Sequence, residues 1–139
     1  MDRLVIAVGI AVLAGVLALV IRRRRRPDAP TRAPGSVPAQ LDRADFAGPE
    51  APWLVVVFTS ATCASCPDVR SKADVLASND VAVDTVEFPA RRDVHRRYGI
   101  DAVPLLLIAD AAGVVRQHFF GPVTATDLWA AVATARDQP

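Results

Sequence analysis

The alternation of apolar and polar residues from Leu41 onward predicts four strands. Residues 53–58, WLVVVF, form a continuous and largely β-branched apolar run, which is typical of a strand buried on both faces. Residues 81–88 alternate between apolar and polar positions, as a half-buried strand does. A second continuous run covers residues 104–110, and a shorter one covers residues 114–120. These four runs indicate a sheet with a buried centre.

Three segments between and after these runs predict helices. Residues 63–78 carry apolar side chains at helical spacing, and residues 91–100 predict a short polar helix that Gly99 ends. The last segment, residues 125–136, follows Thr124, which together with Thr126 is a candidate N-cap. The predicted order is therefore β-α-β-α-β-β-α.

This order predicts an α/β fold with a mixed sheet. Strands that are joined through helices are expected to pair in parallel, whereas the short turn at Asp110–Gly113 predicts an antiparallel hairpin at the end of the chain. Helices on both faces of the sheet would give the compact arrangement.

The front of the chain predicts a membrane anchor. Leu4–Ile21 is a stretch of 18 apolar or glycine residues without charge, and as a helix it would span about 27 Å, close to the hydrocarbon thickness of a bilayer. A cleavable signal peptide would carry its positive charge before the apolar run. Here five arginines, Arg22–Arg26, follow it. We therefore expect residues 1–26 to anchor the chain, with residues 4–26 in contact with lipid and the following domain on the cytoplasmic side.

Residues 27–40 predict a linker, because their prolines and few large apolar side chains cannot build a core. The remaining residues, 41–139, are expected to form one domain. This region has nine Arg or Lys residues against thirteen Asp or Glu residues, so it carries four surplus negative charges. No nucleic-acid partner is expected from that balance.

The chain has two cysteines, Cys63 and Cys66, at C-x-x-C spacing between the first predicted strand and the first predicted helix. A redox pair, a permanent disulfide and a Cu(I) site are all compatible with this spacing. A zinc site would need further ligands, for which His95 and His118 are the remaining candidates. A thiol at the start of a helix is stabilised as thiolate by the helix dipole, which favours redox chemistry.

Several motifs together resemble the thioredoxin family over about Leu41 to Asp137. They are CASC at the strand–helix junction, YGI at residues 98–100, AVP at residues 102–104, the DAAG turn and Gly121 before the last helix. The resemblance implies a thioredoxin-like fold and thiol–disulfide oxidoreductase activity. A thioredoxin-fold copper carrier or a binding module without turnover is the alternative function.

The resemblance also implies roles for four residues. Cys63 would attack a disulfide of a protein substrate and Cys66 would resolve the mixed disulfide. Pro104 would follow a cis peptide bond beside the pair, and the backbone of Val103 would bind substrate. No cofactor is expected other than the redox-active Cys63–Cys66 disulfide, and the partners would be protein disulfides or dithiols with an electron donor or acceptor.

The sequence departs from the family at three places. Thr62 stands where the family has tryptophan, Ala64-Ser65 replaces Gly-Pro, and Val57 occupies the position of a buried aspartate that transfers protons. Lys72 is the single lysine of the chain. Weaker general reductase activity is therefore expected than for a housekeeping thioredoxin.

Structural roles are expected for the remaining polar and aromatic residues. His95 is expected on a solvated helix face and His118 at an exposed strand position. The arginines of the second predicted helix are expected to form a solvent face, with a docking patch as the alternative: Arg91, Arg92, Arg96 and Arg97. Trp53 and Trp129 are expected to pack in the core or at its rim.

Overall fold

The computed structural model describes residues 8–9, 12–17 and 37–138, which belong to two compact units divided between residues 33 and 34. In the first unit, the described residues are helical. Most of the predicted membrane span, all of Arg22–Arg26 and most of the predicted linker lie outside the described residues. Within what is described, no helix has both the length and the apolar character that a membrane crossing requires.

The second unit has the predicted order of elements. The described strands and helices are β1 (Trp53–Ser60), α1 (Cys66–Asp74), β2 (Val81–Phe88), α2 (Arg92–Arg97), β3 (Leu105–Ala109), β4 (Val115–Phe120) and α3 (Ala125–Asp137). A 3-10 helical turn at Arg43–Asp45 precedes them. Of the two candidate N-caps of α3, Thr124 is the one used, since its Oγ1 accepts the N–H of Asp127 at 3.1 Å.

The four strands form a mixed sheet in the order β2-β1-β3-β4. β1 and β2 are parallel, and β3 is antiparallel to both of its neighbours, β1 and β4. We expected strands that are joined through a helix to be parallel. α2 joins β2 to β3, but β3 runs opposite to β1 and β2, so this expectation was wrong for β3. A six-residue helix is about 9 Å long, whereas an eight-residue strand is about 26 Å long. Because α2 cannot carry the chain back along the sheet, β3 starts at the edge where β2 ends.

The side chains of β1 alternate between two apolar cores. Val55 and Val57 pack with the buried side chains of α1 and α3 on one face. Leu54, Val56 and Phe58 pack on the opposite face with α2 and with the segment before β1. The five residues from Leu54 to Phe58 are fully buried, and each contributes about 1.5–3 kcal/mol by leaving water. The predicted burial of β1 on both faces is confirmed.

The start of the domain is held against the β3–β4 turn. Gln40 forms a β-bridge with Val114, and the N–H of Leu41 donates to the carbonyl of Gly113 at 2.8 Å. Gly113 has φ +80°, and a Cβ built on it would lie 1.9 Å from the carbonyl oxygen of Leu41. This glycine is therefore needed both for the turn conformation and for the close approach of the two backbones.

A buried arginine connects the same region. The guanidinium of Arg43 donates to the carbonyls of Gly48, Ala51 and Asp110, at 2.9 to 3.1 Å. Its side chain thus donates hydrogen bonds to carbonyls in two loops, where strand pairing does not supply a donor. Burial lowers the pKa of Arg43, while the carboxylates of Asp110 and Glu50 act in the opposite direction.

Replacement of Gly113 by alanine is expected to destabilise the domain strongly. The left-handed conformation alone costs about 1–2 kcal/mol for a residue with a Cβ, and the contact with the Leu41 carbonyl adds to this cost. Gly99→Ala is the matched control, since Gly99 has φ +64° and a Cβ built on it would have no atom within 4 Å. Chemical denaturation should show a clearly larger loss for Gly113→Ala; equal losses would contradict the close-contact explanation.

Asp110 is expected to make the stability of the hairpin dependent on pH. Burial opposes ionisation of its carboxylate, but hydrogen bonds from Arg116, Val114 and Ala112 outweigh burial and lower the pKa. A carboxyl whose folded pKa is lowered stabilises the fold above its unfolded pKa, about 3.9, and loses that contribution as the pH falls through the folded value.

Asp110→Asn should therefore lower the free energy of unfolding at pH 7 by about 1.5–3 kcal/mol, the size expected for hydrogen bonds to a charged group. The difference between the two proteins should shrink below about pH 4, as measured by denaturation across the pH range. Arg136→Gln, which removes an exposed ion pair with Asp80, is the control. A difference that stays constant down to about pH 2 would contradict this assignment.

Candidate functional site

Ser60 shapes the turn that carries the chain from β1 to the first cysteine. Its carbonyl accepts the N–H of Cys63 at 3.1 Å, and its Oγ accepts the N–H of Thr62 at 3.2 Å. The next residue, Ala61, donates its N–H to the carbonyl of Phe88 at the end of β2. The turn is therefore fixed to the carboxyl ends of the two parallel strands.

Cys63 and Cys66 are joined by a disulfide, with their Cα atoms 5.5 Å apart. Cys63 is half-buried, whereas the side chain of Cys66 is only 3% exposed. Cys66 is therefore the more buried of the two cysteines. α1 begins at Cys66, the second cysteine of the pair, and Pro67 lies in the first turn of the helix. Because N–H groups in a first turn have no partner within the helix, the missing N–H of Pro67 costs no hydrogen bond there. Cys63 belongs to the preceding turn.

Lys72 connects α1 to the rest of the domain. Its ammonium group donates to Asp68 at 2.6 Å and to the carbonyl of Val123 at 2.9 Å. The indole N–H of Trp129 in α3 donates to the carbonyl of Lys72. Trp129 is 44% exposed, whereas Trp53 packs against the core on this face of the sheet. The predicted packing in the core or at its rim is therefore confirmed for Trp53 and not for Trp129. The contacts of Lys72 hold the last turn of α1 against α3 and against the segment that precedes α3.

A groove of about 370 Å³ opens on the α1 face of the sheet beside the disulfide. Both cysteines line it, together with Thr59 and Glu87, which are opposite each other in the register of β1 and β2. Val57 lies one step deeper on the same face and is fully buried. The polar side chains nearest the two cysteines on this face are therefore those that line the groove.

The peptide bond between Val103 and Pro104 is cis, as predicted, and a second cis bond precedes Pro89. The carbonyl of Pro104 accepts the N–H of Gly121 at 2.9 Å. In the part of the chain that the structure describes, neither backbone group of Val103 has a hydrogen-bond partner. Pro104 directly precedes Leu105, which is paired with Phe58 near the end of β1, so these backbone groups lie near the turn that holds Cys63.

Another groove, of about 240 Å³, opens on the opposite face of the sheet. We call it the α2 groove, and its lining residues are Ser60, Phe88, His95, Ile100, Asp101 and Val103. Phe88 is 40% exposed, which is unusual for a phenylalanine that ends a strand of the central sheet. Ser60 lines both grooves, so the turn before Cys63 separates them.

His95 differs from its sequence-based assignment. It is buried rather than solvated, at 5% exposure, and its Nε2 lies 2.9 Å from the carbonyl oxygen of Val86. Its ring packs edge-on against Phe58 and Phe88. The short helix α2 rests on the sheet through this face, and the polar residues around His95 concealed that role in the sequence. His118 is exposed, as predicted.

The four arginines at α2 divide into two kinds. Arg91 pairs with Asp84, and Arg97 pairs with Asp45 at 2.8 Å. Arg92 and Arg96 are exposed and form no ion pair among the described residues. The guanidinium of Arg92 instead lies 5.3 Å from the ring centre of Phe88.

Sequence reasoning missed Ser60 and Phe88 as parts of the site. The serine two residues before Thr62 carries a turn signal, because a hydroxyl can accept the N–H two positions onward. Successive side chains of β2 point to opposite faces of the sheet, so Phe88 lies on the same face as Val86. The exposure of Phe88 to solvent depends on the position of α2, which the sequence does not show.

Comparison with solved structures identifies the fold of this domain. A thioredoxin variant from Halobacterium salinarum NRC-1 matches 61% of this chain and 75% of its own, with 19% identity and a TM-score of 0.55. A thioredoxin from Fasciola hepatica matches 60% of this chain and 81% of its own, with 21% identity and a TM-score of 0.52. Mitochondrial thioredoxin 3 from Saccharomyces cerevisiae matches 61% of this chain and 80% of its own, with 18% identity and a TM-score of 0.51. No family model and no curated protein matches the sequence. At these identities the likeness shows a thioredoxin-like fold.

Proposed function

We propose that this protein is a thiol–disulfide oxidoreductase acting on protein cysteines through Cys63 and Cys66. The observation that carries the proposal is the asymmetry of the pair. Cys63 is accessible at the groove, whereas Cys66 is buried behind it at the first turn of α1. An attacking thiol must reach its substrate, and a resolving thiol needs to reach only its neighbour.

The proposed exchange proceeds in two balanced steps. The Cys63 thiolate attacks one sulfur of a substrate disulfide, which forms a mixed disulfide and releases the first substrate thiolate. The Cys66 thiol then loses its proton and attacks the Cys63 sulfur, which forms the Cys63–Cys66 disulfide and releases the second substrate thiolate. Protonation of both products completes the transfer of two electrons. A dithiol donor reverses these steps on the protein, and the relative potentials of the pair and its partner set the direction.

Val103 supports this proposal as a substrate-binding residue. Its N–H and carbonyl adjoin the cis Pro104 bond and have no partner among the described residues, so they can form hydrogen bonds with an extended substrate segment. Such a contact recognises backbone rather than side chains, so it suits an enzyme that handles cysteines in different sequences.

Val57 supports the expected weakness as a general reductase. An apolar side chain below the pair offers no carboxylate to accept the proton of Cys66. The proton must leave through the groove, to water, to the departing substrate thiolate or to the carboxylates of Asp74 and Glu87 that line the groove. This makes the second step the slower one at neutral pH, since a buried thiol is mostly protonated there.

Cys66→Ser is expected to accumulate mixed disulfides between Cys63 and substrate proteins, because the resolving thiol is missing. Non-reducing electrophoresis of the full chain after incubation with oxidised protein substrates measures these adducts. Cys63→Ser is the matched control and should form at least about tenfold fewer adducts, since the remaining Cys66 is buried and access limits thiol–disulfide exchange.

Two results would contradict the proposed activity. Equal adduct formation by both variants would show that the two cysteines have no separate roles. Tight equimolar Cu(I) binding by the reduced protein, without reduction of any disulfide, would instead support the metal-carrier alternative.

We further propose that residues 1–26 tether this activity to a membrane, with the thioredoxin-like domain in the cytoplasm. The support is the uncharged stretch Leu4–Ile21 and its flank Arg22–Arg26. The described residues of that stretch are helical and expose apolar side chains, including Leu13 and Leu17. Basic residues beside a span favour the cytoplasmic side.

Labelling with a membrane-impermeant maleimide tests this orientation. In intact cells, Cys63 of the Cys66→Ser variant should remain unlabelled, and permeabilisation should make it reactive. Replacing Arg22–Arg26 by glutamine should place part of the population in the opposite orientation. Full labelling of Cys63 in intact cells would contradict the cytoplasmic assignment, and release of the protein by alkaline carbonate would contradict the anchor.

A further inference from the structure

Two cations at the α2 groove form no ion pair among the described residues. Arg91 pairs with Asp84 of β2 and Arg97 pairs with Asp45 of the turn before β1, but Arg92 and Arg96 contact no carboxylate in the part of the chain that the structure describes. Both line an adjoining groove of about 460 Å³, together with Phe88 and Ile100. We include this groove in the α2 groove as its outer part, and the groove defined above is the inner part. Among the residues that line this outer part, Asp101 is the acidic one, so the lining carries two positive charges and one negative charge.

This outer part is continuous with the redox site. Phe88, His95, Ile100 and Asp101 line both the outer and the inner parts of the groove. The inner part reaches Ser60, whose carbonyl accepts the N–H of Cys63, and Val103, whose backbone groups are unpaired. A segment bound at Val103 can therefore continue over Phe88 toward the two arginines.

The charge of this groove differs from that of its surroundings. Without Arg92 and Arg96, residues 41–139 carry seven basic against thirteen acidic residues. An acidic segment would be repelled by most of the domain surface and attracted at this groove. Opposite charges in a cleft raise the rate of encounter and select among partners.

We infer that the α2 groove binds an acidic, partly apolar segment that flanks the reacting cysteine of the substrate protein. Phe88 and Ile100 contact the apolar side chains of the segment, and Arg92 and Arg96 pair with its carboxylates. This inference rests on the proposed function, and it specifies which protein disulfides react preferentially.

The test uses the pre-reduced full-length chain in neutral detergent and three disulfide probes. Two are peptides of equal length that carry leucine beside the cysteine and either three aspartates or three lysines within five residues of it. The third is bis(2-hydroxyethyl) disulfide, which is small and uncharged. At low ionic strength the acidic peptide should react about tenfold faster than the basic one, within the range of electrostatic steering. The difference should shrink in about 0.5 M salt.

Three double variants locate the effect. Arg92→Gln with Arg96→Gln should reduce the preference to less than about twofold and leave the uncharged disulfide unaffected, since steering acts on charged partners alone. Arg116→Gln with Arg136→Gln changes the net charge equally at exposed arginines on β4 and α3, and it should preserve the preference. Charge reversal, Arg92→Glu with Arg96→Glu, should favour the basic peptide.

The outcomes separate this inference from the proposed function. Equal rates for the two peptides, or a preference that survives the Arg92/Arg96 double variant, would overturn the inference while reduction of the uncharged disulfide still supports the activity. Failure to reduce any of the three disulfides would overturn both.

Discussion

The burial of β1 on both faces is the constraint on which the domain depends. Five successive residues, Leu54 to Phe58, are removed from water, and their alternating side chains supply two separate cores. A strand with this pattern needs paired strands on both sides and helices above and below it. Its neighbours β2 and β3 provide the pairs and run in opposite directions, with β2 paired along all of Trp53–Ser60 and β3 paired along the buried residues from Leu54 to Phe58.

The same constraint determines where chemistry can take place. Side chains near the middle of β1 must be apolar, so polar and reactive groups begin where the strand ends, at Thr59 and Ser60. The turn held by Ser60 then places Cys63 at the edge of the sheet, between a groove on the α1 face and a groove on the α2 face. Both cysteines line the groove on the α1 face, and the α2 groove is where we propose that the protein carrying the reacting cysteine is bound. The proposed chemistry and the proposed recognition therefore lie on opposite faces of one sheet.

Periodicity was sufficient to predict the order of elements, because the apolar runs of β1 and β3 and the alternation of β2 are strong local signals. The C-x-x-C spacing and the residues before Pro104 are also local signals, and through the resemblance they led to the disulfide and to the cis peptide bond that the structure shows. The direction of β3 was not accessible in this way, since it depends on the length of α2 relative to β2. The burial of His95 and the division of the four arginines also depend on contacts with distant residues such as Asp45 and Val86. Properties set by neighbours in the chain were predicted, and those set by neighbours in space were not.

Val57 links the stability of the domain to the rate of the proposed exchange. An ionised carboxylate at this position would lose its hydration inside the core, at a cost of several kcal/mol unless a cation were paired with it. The one lysine of the chain, Lys72, is already held by Asp68 and the carbonyl of Val123. Valine keeps the core apolar, but it removes the internal proton acceptor for Cys66. The proposed resolving step then depends on acceptors in the groove on the α1 face, namely water, the departing substrate thiolate and the carboxylates of Asp74 and Glu87. A slow second step lengthens the life of the mixed disulfide, so contacts that hold the bound protein at the α2 groove gain influence over which substrates complete the exchange.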